Sequence, residues 1–186
     1  MSPMVKLPLT IEQALLGFLQ HEAIHAYEMH QRLQQAHALG LVWRLKQSQL
    51  YALLTRLEEA GYIEATVEAQ GSRPPRKVMQ LTSSGVRAFE VWLVAPVEHG
   101  RDFRLEFLAK LFFAQRQGTA VIERLISAQQ ATCAAWLADI RAQAELLQAG
   151  PPYDLLVLQF RQGQIEAIVQ WLETCRTTLV PAVTHS

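Results

Sequence analysis

Residues 47–63, QSQLYALLTRLEEAGYI, decide how the chain is predicted to fold. Leucines recur there at i, i+3, i+4 and i+7, the spacing that places side chains on one face of an amphipathic helix. Gly61 follows the pattern at the position where many helices end in a left-handed residue. The leucines are Leu50, Leu53, Leu54 and Leu57. The other face carries hydrogen-bonding, aromatic and cationic side chains and no acid, namely Ser48, Gln49, Tyr51, Ala52, Thr55 and Arg56.

A β-hairpin is predicted directly after this helix. Residues 62–68 alternate between apolar and polar side chains, which indicates a strand with one buried face. Residues 69–75 are rich in glycine and proline, so they are predicted to form the turn, and residues 76–81 the returning strand. The hairpin carries three cations, Arg73, Arg76 and Lys77.

Further helices are predicted on both sides of this helix and hairpin. Thr10 can cap a first helix, with Gln13 as its capping-box partner, and a second helix covers residues 25–38. Thr82 is predicted to cap a helix that follows the hairpin. Three helices followed by a two-stranded hairpin is the element order of a winged helix-turn-helix. The predicted fold is therefore mainly α, with a two-stranded wing.

The remainder of the chain is predicted to be helical. The polar stretch 98–102 is the predicted boundary between an N-terminal domain, residues 1–97, and a C-terminal helical domain, residues 98–186. Two long helices there, at 119–148 and 153–176, carry apolar residues at close to seven-residue spacing. They cannot bury both faces against each other in so small a domain, so we predict a dimer, the alternative being an intramolecular hairpin packed on the N-terminal domain. The residues predicted at the dimer interface are Phe103, Phe107, Ile122, Ile126, Cys133, Ile140, Ile165, Ile168 and Leu172.

The charge balance of the chain is neutral, but the cations are clustered. Half of the residues are hydrophobic, as in a folded globular protein, and the formal net charge is zero. Proteins that bind DNA often carry an excess of lysine and arginine. In residues 43–57 and 71–77, however, every charged residue is a cation. Two local basic patches can contact phosphates even when the whole chain is neutral.

Several other classes of protein are not expected. No apolar run reaches membrane-spanning length, and residues 1–10 lack the pattern of a signal peptide, so we expect a cytoplasmic protein. Cys133 and Cys175 are not spaced as CxxC and are predicted to be small core residues, with a redox-sensing pair as the alternative. Because no catalytic motif, cofactor loop or metal-ligand spacing is found, we expect no enzyme, no cofactor and no metal site.

Four segments together resemble the PadR family of transcriptional regulators. Residues 13–33, QALLGFLQHEAIHAYEMHQRL, are similar to the opening helices of that family, and residues 48–63 to its recognition helix and first wing strand. Residues 73–85, RPPRKVMQLTSSG, resemble its wing, and residues 103–114, FRLEFLAKLFFA, resemble the start of its dimerisation region. The resemblance implies a homodimeric regulator, expected to be a repressor, that binds a double-stranded DNA operator.

Three positions depart from the family pattern. Ala26 stands where the family usually has glycine. Tyr27, the next residue, is expected to point partly inward. Lys46 and Gln47 replace the usual serine and proline before the recognition helix. These changes leave the fold prediction intact, and the added charge of Lys46 is expected to alter the preference for DNA sequence.

The resemblance and the polar helix face together predict the DNA contacts. A recognition helix enters the major groove and contacts base edges, where Gln49 could pair with adenine and Arg56 with guanine or a phosphate. The hairpin would lie along the backbone or the minor groove. The predicted contacts are Lys46, Gln47, Ser48, Gln49, Tyr51, Thr55, Arg56, Arg73, Arg76 and Lys77. The alternative function is a winged-helix adaptor that binds another protein without DNA.

A small aromatic ligand is a further expected partner. Members of the family that sense ligands place aromatic residues at the dimer junction, so the resemblance implies an effector of this kind. Trp92 and Trp136 are the residues predicted to line its pocket. Tryptophans are also common in cores and interfaces, which is the alternative role for both.

Overall fold

The structure is a computed structural model that describes residues 9–35, 42, 45–70, 73–147 and 150–180, without the side chains of 9–11, 68–70 and 73–76. The helices are α1 (Leu9–Phe18), α2 (Ala26–Gln35), α3 (Gln47–Glu59), α4 (Ser83–Val94), α5 (Phe103–Gln117), α6 (Thr119–Leu146) and α7 (Pro152–Leu179). The strands are β1 (Ile24–His25), β2 (Ile63–Gln70) and β3 (Arg73–Leu81), and a 3-10 turn covers Gly100–Asp102. The predicted end of the second helix, residues 36–38, lies outside the described residues.

The chain divides into two compact units. The first contains Met1–Leu93 and Arg104–Phe113, and the second contains Val94–Phe103 and Ala114–Ser186. The first unit has the helices and the hairpin of a winged helix-turn-helix, which confirms the predicted fold class. Most of α5 belongs to this unit, although the sequence places it in the C-terminal domain. The division into residues 1–97 and 98–186 stays a prediction.

The sheet of the first unit has three antiparallel strands in the order β1-β3-β2, so β3 is central. The sequence predicts only β2 and β3. Ile24 and His25 pair with Met79 and Val78 at a place where the sequence shows only a break between two helices. A strand of two residues has no alternation to detect, so only its pairing with β3 reveals it.

The hairpin strands are longer than the sequence predicts. The predicted turn at 69–75 is wrong, because most of these residues belong to β2 or β3. The register shifts between Glu68 and Gln70. Pro74 and Pro75 therefore lie beside an irregularity at the turn end of β3, where the missing proline N–H groups are tolerated.

Helix α3 is fixed by its buried face and by its C-terminus. Gly61 has a φ of +72°. Its N–H donates to the carbonyl of Glu58 at 3.0 Å, and the N–H of Tyr62 donates to the carbonyl of Leu57 at 3.0 Å. These two bonds form a Schellman motif, so the predicted stop at Gly61 is confirmed. The leucines are all buried, as their spacing predicts: Leu50, Leu53, Leu54 and Leu57.

Thr82 connects the hairpin to α4. Its hydroxyl oxygen accepts the N–H of Gly85 at 3.1 Å, which confirms Thr82 as the cap of this helix. The same hydroxyl donates to the carbonyl of Gly61, 2.7 Å away, and lies 3.2 Å from that of Tyr62. One side chain therefore links the first turn of α4 to the segment that leaves α3.

An aromatic cluster joins α5 to the other helices of the first unit. The ring of Phe113 packs edge-to-face on Phe18, Phe89 and Phe112, with ring centres 5.3, 5.5 and 5.1 Å away. Phe107, one turn and a half earlier on α5, is fully buried. Burial of aromatic rings is strongly stabilising, and this packing explains why the compact first unit includes Arg104–Phe113.

Helices α6 and α7 form an antiparallel hairpin in the second unit. Arg176 donates to Glu123 at 3.1 Å, and Gln130 donates to Glu173 at 3.3 Å, so residue numbers run in opposite directions along the pair. The hydrogen bond from Arg176 lowers the pKa of Glu123 below its ordinary value. None of the helices described, including these long ones, is apolar enough along its length to cross a membrane.

The apolar residues predicted at the dimer interface are mostly buried within one protomer. The seven-residue spacing on α6 and α7 marks the sides that meet in the hairpin, which leaves these residues little surface for a partner. Their role in a subunit contact stays a prediction. Ile168 is half-buried, and the others are buried: Phe103, Phe107, Ile122, Ile126, Cys133, Ile140, Ile165 and Leu172.

The two cysteines are buried free thiols, which confirms the prediction that they are core residues. Burial raises the pKa of the Cys175 thiol to about 11 and also raises that of Cys133. Because the thiolate is the reactive form, both thiols are expected to react slowly at neutral pH. A redox-sensing pair is therefore not favoured.

Candidate nucleic-acid interface

The side of α3 opposite its leucines is open to solvent. Lys46, Gln47 and Ser48 are exposed at its start, and Tyr51 and Thr55 follow about one and two turns later. The Thr55 hydroxyl donates to the Tyr51 carbonyl at 3.1 Å, whereas the Tyr51 side chain is 45% exposed. These five residues, which we call the α3 face, offer an ammonium, an amide, two aliphatic hydroxyls and a phenol, and no carboxylate.

Gln49 turns back onto the start of α3. Its Oε1 accepts the N–H of Lys46 at 3.0 Å, which satisfies a main-chain donor at the helix terminus. The residue is half-buried. Pairing with adenine would require this bond to break, so the structure supports a capping role for Gln49, and its predicted base contact stays a prediction.

Arg56 is tied to α1. Its guanidinium forms an ion pair with Glu12, whose side chain is only 14% exposed. The Nε of Arg56 is buried, and no acceptor among the described residues bonds to it. This pair holds α3 against α1 and turns Arg56 away from the α3 face. A direct DNA contact of Arg56 stays a prediction.

Lys77 connects the wing to α3. Its Nζ donates to both carboxylate oxygens of Glu58, at 3.2 and 2.9 Å, while its carbonyl oxygen lies 3.2 Å from Nδ1 of His25. The Lys77 side chain remains 59% exposed, so its charge is presented at the surface. The side chains of Arg73 and Arg76, also predicted to contact DNA, lie outside the described ones.

Tyr27, in the first turn of α2, is 59% exposed, so the expected inward orientation is wrong. Met29 and Leu33 form the buried side of this helix. Tyr27 precedes Met29 by two positions, which turns it about 200° around the helix, and this spacing could have been recognised in the sequence. An exposed phenol at a helix start is a further group that can bond a phosphate.

Trp92 and Lys110 form a buried cation–π contact within the first unit. Nζ of Lys110 lies 5.4 Å from the centre of the Trp92 ring and 2.7 Å from Oε1 of Glu106. Trp92 is 5% exposed and Lys110 is 1% exposed. The Trp92 Nε1 finds no acceptor among the described residues, which is uncommon for a buried N–H. Trp92 was predicted from the sequence but Lys110 was not, because nothing in the α5 sequence distinguishes a buried charged residue from an exposed one.

Trp136 belongs to the second unit and is half-buried on α6. Its ring lies near Gly100, at 4.0 Å from where a Cβ of that residue would be. Trp92 belongs to the first unit, and a joint role of the two tryptophans in an effector pocket stays a prediction. Among the residues described, no three His, Cys, Asp or Glu side chains are close enough to hold a metal ion.

An apolar stripe runs along the outer side of α7. Tyr153, Leu156, Val157 and Phe160 follow the i, i+3, i+4, i+7 spacing and are exposed, Phe160 to 66%. Trp171 lies three turns further on and is partly exposed. We call these five residues the α7 stripe. The buried residues of α7 are different ones: Leu158, Ile165, Leu172 and Cys175. Contiguous apolar surface of this kind commonly marks an interaction site.

Two family descriptions match the chain. Residues 15–91 match the transcriptional regulator PadR-like family, and residues 103–180 match the virulence activator alpha C-terminal family. The first match spans the α3 face and the wing. The second spans α5, α6 and α7 with its apolar stripe.

The chain is also similar to individual regulators. It is 27% identical over 173 residues to the negative transcriptional regulator PadR of Bacillus subtilis (strain 168), covering 88% of this chain and 94% of that protein. It is 27% identical over 96 residues to the probable transcriptional regulator Rv1176c of Mycobacterium tuberculosis, and the match covers 52% of this chain and 50% of that protein. Among solved structures, it is similar to Bacillus subtilis PadR in complex with operator DNA, with 26% identity, 91% and 97% coverage and a TM-score of 0.45. The same regulator in complex with p-coumaric acid gives 24% identity, 91% and 98% coverage and a TM-score of 0.41.

The resemblance predicted from four sequence segments is confirmed by these matches. A PadR-like domain includes the α3 face, and a PadR regulator matches over almost its whole length. Residues 15–91 of this chain form a domain of the PadR-like family of transcriptional regulators.

Proposed function

We propose that this chain is a sequence-specific DNA-binding regulator that acts as a homodimer and represses its targets. The observation that carries the proposal is the α3 face, a set of exposed polar and cationic side chains from Lys46 to Thr55 within a PadR-like domain. Such a helix fits the major groove, where short polar side chains contact base edges. Repression is supported by the similarity to a negative regulator of Bacillus subtilis.

The residues of the α3 face have different expected roles. Lys46 stands at the start of α3, where its ammonium and the positive end of the helix both attract a phosphate. Ser48 and Thr55 carry short hydroxyls suited to base edges, and the phenol of Tyr51 is suited to a phosphate oxygen. Gln47 contributes an exposed amide at the same end of the helix.

Residues around the α3 face would act in two ways. Lys77, with Arg73 and Arg76 of the wing, supplies cations for the sugar-phosphate backbone. Gln49 and Arg56 act indirectly, since the first caps α3 and the second holds it against α1. Replacement of Arg56 is therefore expected to lower stability as well as affinity.

Because Lys46 stands at the start of α3, we now assign it a phosphate contact and not an effect on sequence preference, so Lys46→Ala is expected to weaken binding to all duplexes alike. Affinity for DNA falls as the salt concentration rises. Loss of one contact between a cation and a phosphate reduces the slope of log affinity against log salt concentration by about 1. Fluorescence anisotropy at several salt concentrations, with a duplex from upstream of the chain's own gene, measures both effects. Ser48→Ala should instead weaken binding at particular base positions.

Arg141→Ala, which removes an exposed cation from α6, is the matched control for charge. It should leave the affinity and the salt slope close to those of the unmodified chain. If Lys46→Ala and Arg141→Ala behave alike, the α3 face is not the surface that binds DNA. If the unmodified chain ignores duplex DNA even at low salt, the protein-binding adaptor becomes the favoured function.

We assign the subunit contact to the α7 stripe, in place of the buried residues predicted from the sequence. One winged module touches few phosphates, whereas two joined modules gain avidity on half-sites about 34 Å apart. The stripe is apolar, and Tyr153, Leu156 and Phe160 are each more than 60% exposed in one protomer. A second copy related by two-fold symmetry would cover it with the same surface of its own.

We further propose that a small aromatic acid binds beside Trp92 and releases the DNA. Bacillus subtilis PadR, the relative at 27% identity, binds p-coumaric acid. In this chain the Lys110 ammonium would attract the ligand carboxylate in competition with Glu106, and the N–H of Trp92 would donate to it. Trp136 belongs to the second unit and is not included in this proposed site. Opposite charges brought together in a buried site interact strongly.

Titration with p-coumaric acid is expected to quench the tryptophan fluorescence, and Trp92→Phe to remove most of that quenching. Lys110→Met should weaken binding roughly tenfold or more, because it removes a charge-assisted hydrogen bond. The corresponding alcohol, which has the same ring and no carboxylate, is the matched ligand control. Equal affinity for acid and alcohol would contradict the assigned role of Lys110.

The cellular setting follows from the proposed activity. A regulator that binds an operator works beside the chromosome, so we propose that the chain acts in the cytoplasm. The family consists of transcriptional regulators, and we propose no catalytic activity for this member.

A further inference from the structure

Gln129 is a fully buried amide in the middle of α6, one of two buried polar residues in the described part of the chain. Its neighbours on the same side of the helix, Ile126 and Cys133, are buried as well. Burying an amide is costly unless its oxygen and nitrogen are both hydrogen-bonded. The contacts of Gln129 therefore indicate what the amide does there.

The oxygen and the nitrogen of the Gln129 amide are both hydrogen-bonded to the same residue, Val97. Its Oε1 accepts the N–H of Val97 at 2.7 Å, and its Nε2 donates to the carbonyl of Val97 at 3.4 Å. The side chain thus pairs with the main chain of Val97 as a neighbouring strand would. Nε2 also lies 3.8 Å from Sγ of Cys133.

Val97 belongs to the segment that connects the two compact units. This segment, Val94–Phe103, is part of the second unit, although it begins at the end of α4 and leads into the α5 residues of the first. Val97 is completely buried, and Phe103 packs edge-to-face on Trp171 with ring centres 5.9 Å apart. The first unit, which carries the α3 face, is therefore connected along the chain to both ends of a segment that belongs to the second unit.

We propose that Gln129 is a positioning residue for DNA recognition. Gln129 fixes Val97 to α6, and with it the segment to which the first unit of each subunit is connected. In this way it sets the half-site separation that a dimer accepts. The inference rests on the proposed function, because it presupposes a dimer with two recognition helices. Half-site spacing is a geometric property of such a dimer.

The test compares Gln129→Leu with Gln130→Leu. Gln130 is the adjacent residue, and its hydrogen bonds are to Glu173 and Arg176 on α7. Duplexes retained by the unmodified chain from random DNA serve as probes, each remade with one or two base pairs added to or removed from the centre. We expect the affinity of the unmodified chain and of Gln130→Leu to fall about tenfold or more when the spacing changes. Gln129→Leu should bind all spacings within about threefold of one another.

Sedimentation and thermal unfolding establish that each variant is a folded dimer before its spacing profile is measured. Gln129→Met, which keeps the length of the side chain, replaces Gln129→Leu should the latter fail to fold. A merely structural role would lower the unfolding temperature and leave the spacing profile sharp, and that result would overturn the inference. Failure of the unmodified chain to retain any duplex would overturn the proposed function and this inference with it.

Discussion

Replacing Gly85 with alanine is expected to destabilise the first compact unit by about 3 kcal/mol or more. A Cβ at this position would lie 2.0 Å from the carbonyl oxygen of Tyr62 and 2.9 Å from its carbonyl carbon. Both are main-chain atoms, and the N–H of Thr82 donates to that oxygen at 3.1 Å. The clash can be relieved only by separating α4 from the start of β2. Urea denaturation followed by circular dichroism measures the effect.

Gly163→Ala is the matched control, because it makes the same substitution in α7. A Cβ there meets no atom within 4 Å. Alanine is the better helix former, so this variant should be neutral or more stable by up to about 1 kcal/mol. If Gly85→Ala unfolded at the same urea concentration as the unmodified chain, α4 could not approach β2 as closely as described.

Features determined by neighbouring residues could be predicted from the sequence alone. The leucine spacing identified the buried side of α3, and Gly61 and Thr82 identified where α3 ends and α4 begins. Each of these features depends on residues within a few positions of one another, where helix periodicity and capping are decisive. The exposed α3 face followed from the same periodicity, since the side opposite a buried stripe is open.

Features that depend on distant residues could not be predicted in this way. Arg56 lies on the polar half of α3, and only the packing of α1 brings Glu12 against it. Gln49 is similar in appearance to its exposed neighbours, yet its bond to the Lys46 N–H withdraws it from the surface. β1 has two residues and is recognised only by its pairing with β3. The sequence therefore predicted the location of the candidate site better than the role of each residue.

The seven-residue pattern on α7 shows a different limit of sequence analysis. Such a pattern indicates that a helix packs against a neighbour, but it does not say whether the neighbour belongs to the same chain. In α7 the more regular stripe, with Ile165 and Leu172, packs within the hairpin. The less regular one, with Leu156 and Phe160, is left exposed. Only the structure distinguishes the two.

Introducing glutamate at both Leu156 and Phe160 is expected to convert the proposed dimer into folded monomers. Both side chains are exposed in the protomer, so the charges should not disturb its fold, whereas in a dimer they would be buried without partners. Separation of the two modules should lower the affinity for an operator roughly 100- to 10,000-fold, because a monomer has no avidity. Analytical ultracentrifugation measures the first effect and anisotropy with a labelled duplex the second.

Two further variants separate this interface from the one predicted by the sequence. Gln159→Glu places the same charge beside Phe160 but on another side of the helix, and it should remain dimeric and bind DNA normally. Leu172→Glu puts a charge into the seam between α6 and α7, where Leu172 is fully buried, so it should unfold the hairpin before it dissociates the dimer. If Leu172→Glu instead gave folded monomers while the double variant stayed dimeric, the subunit contact would lie on the seven-residue stripe, and the hairpin would have to open to form it.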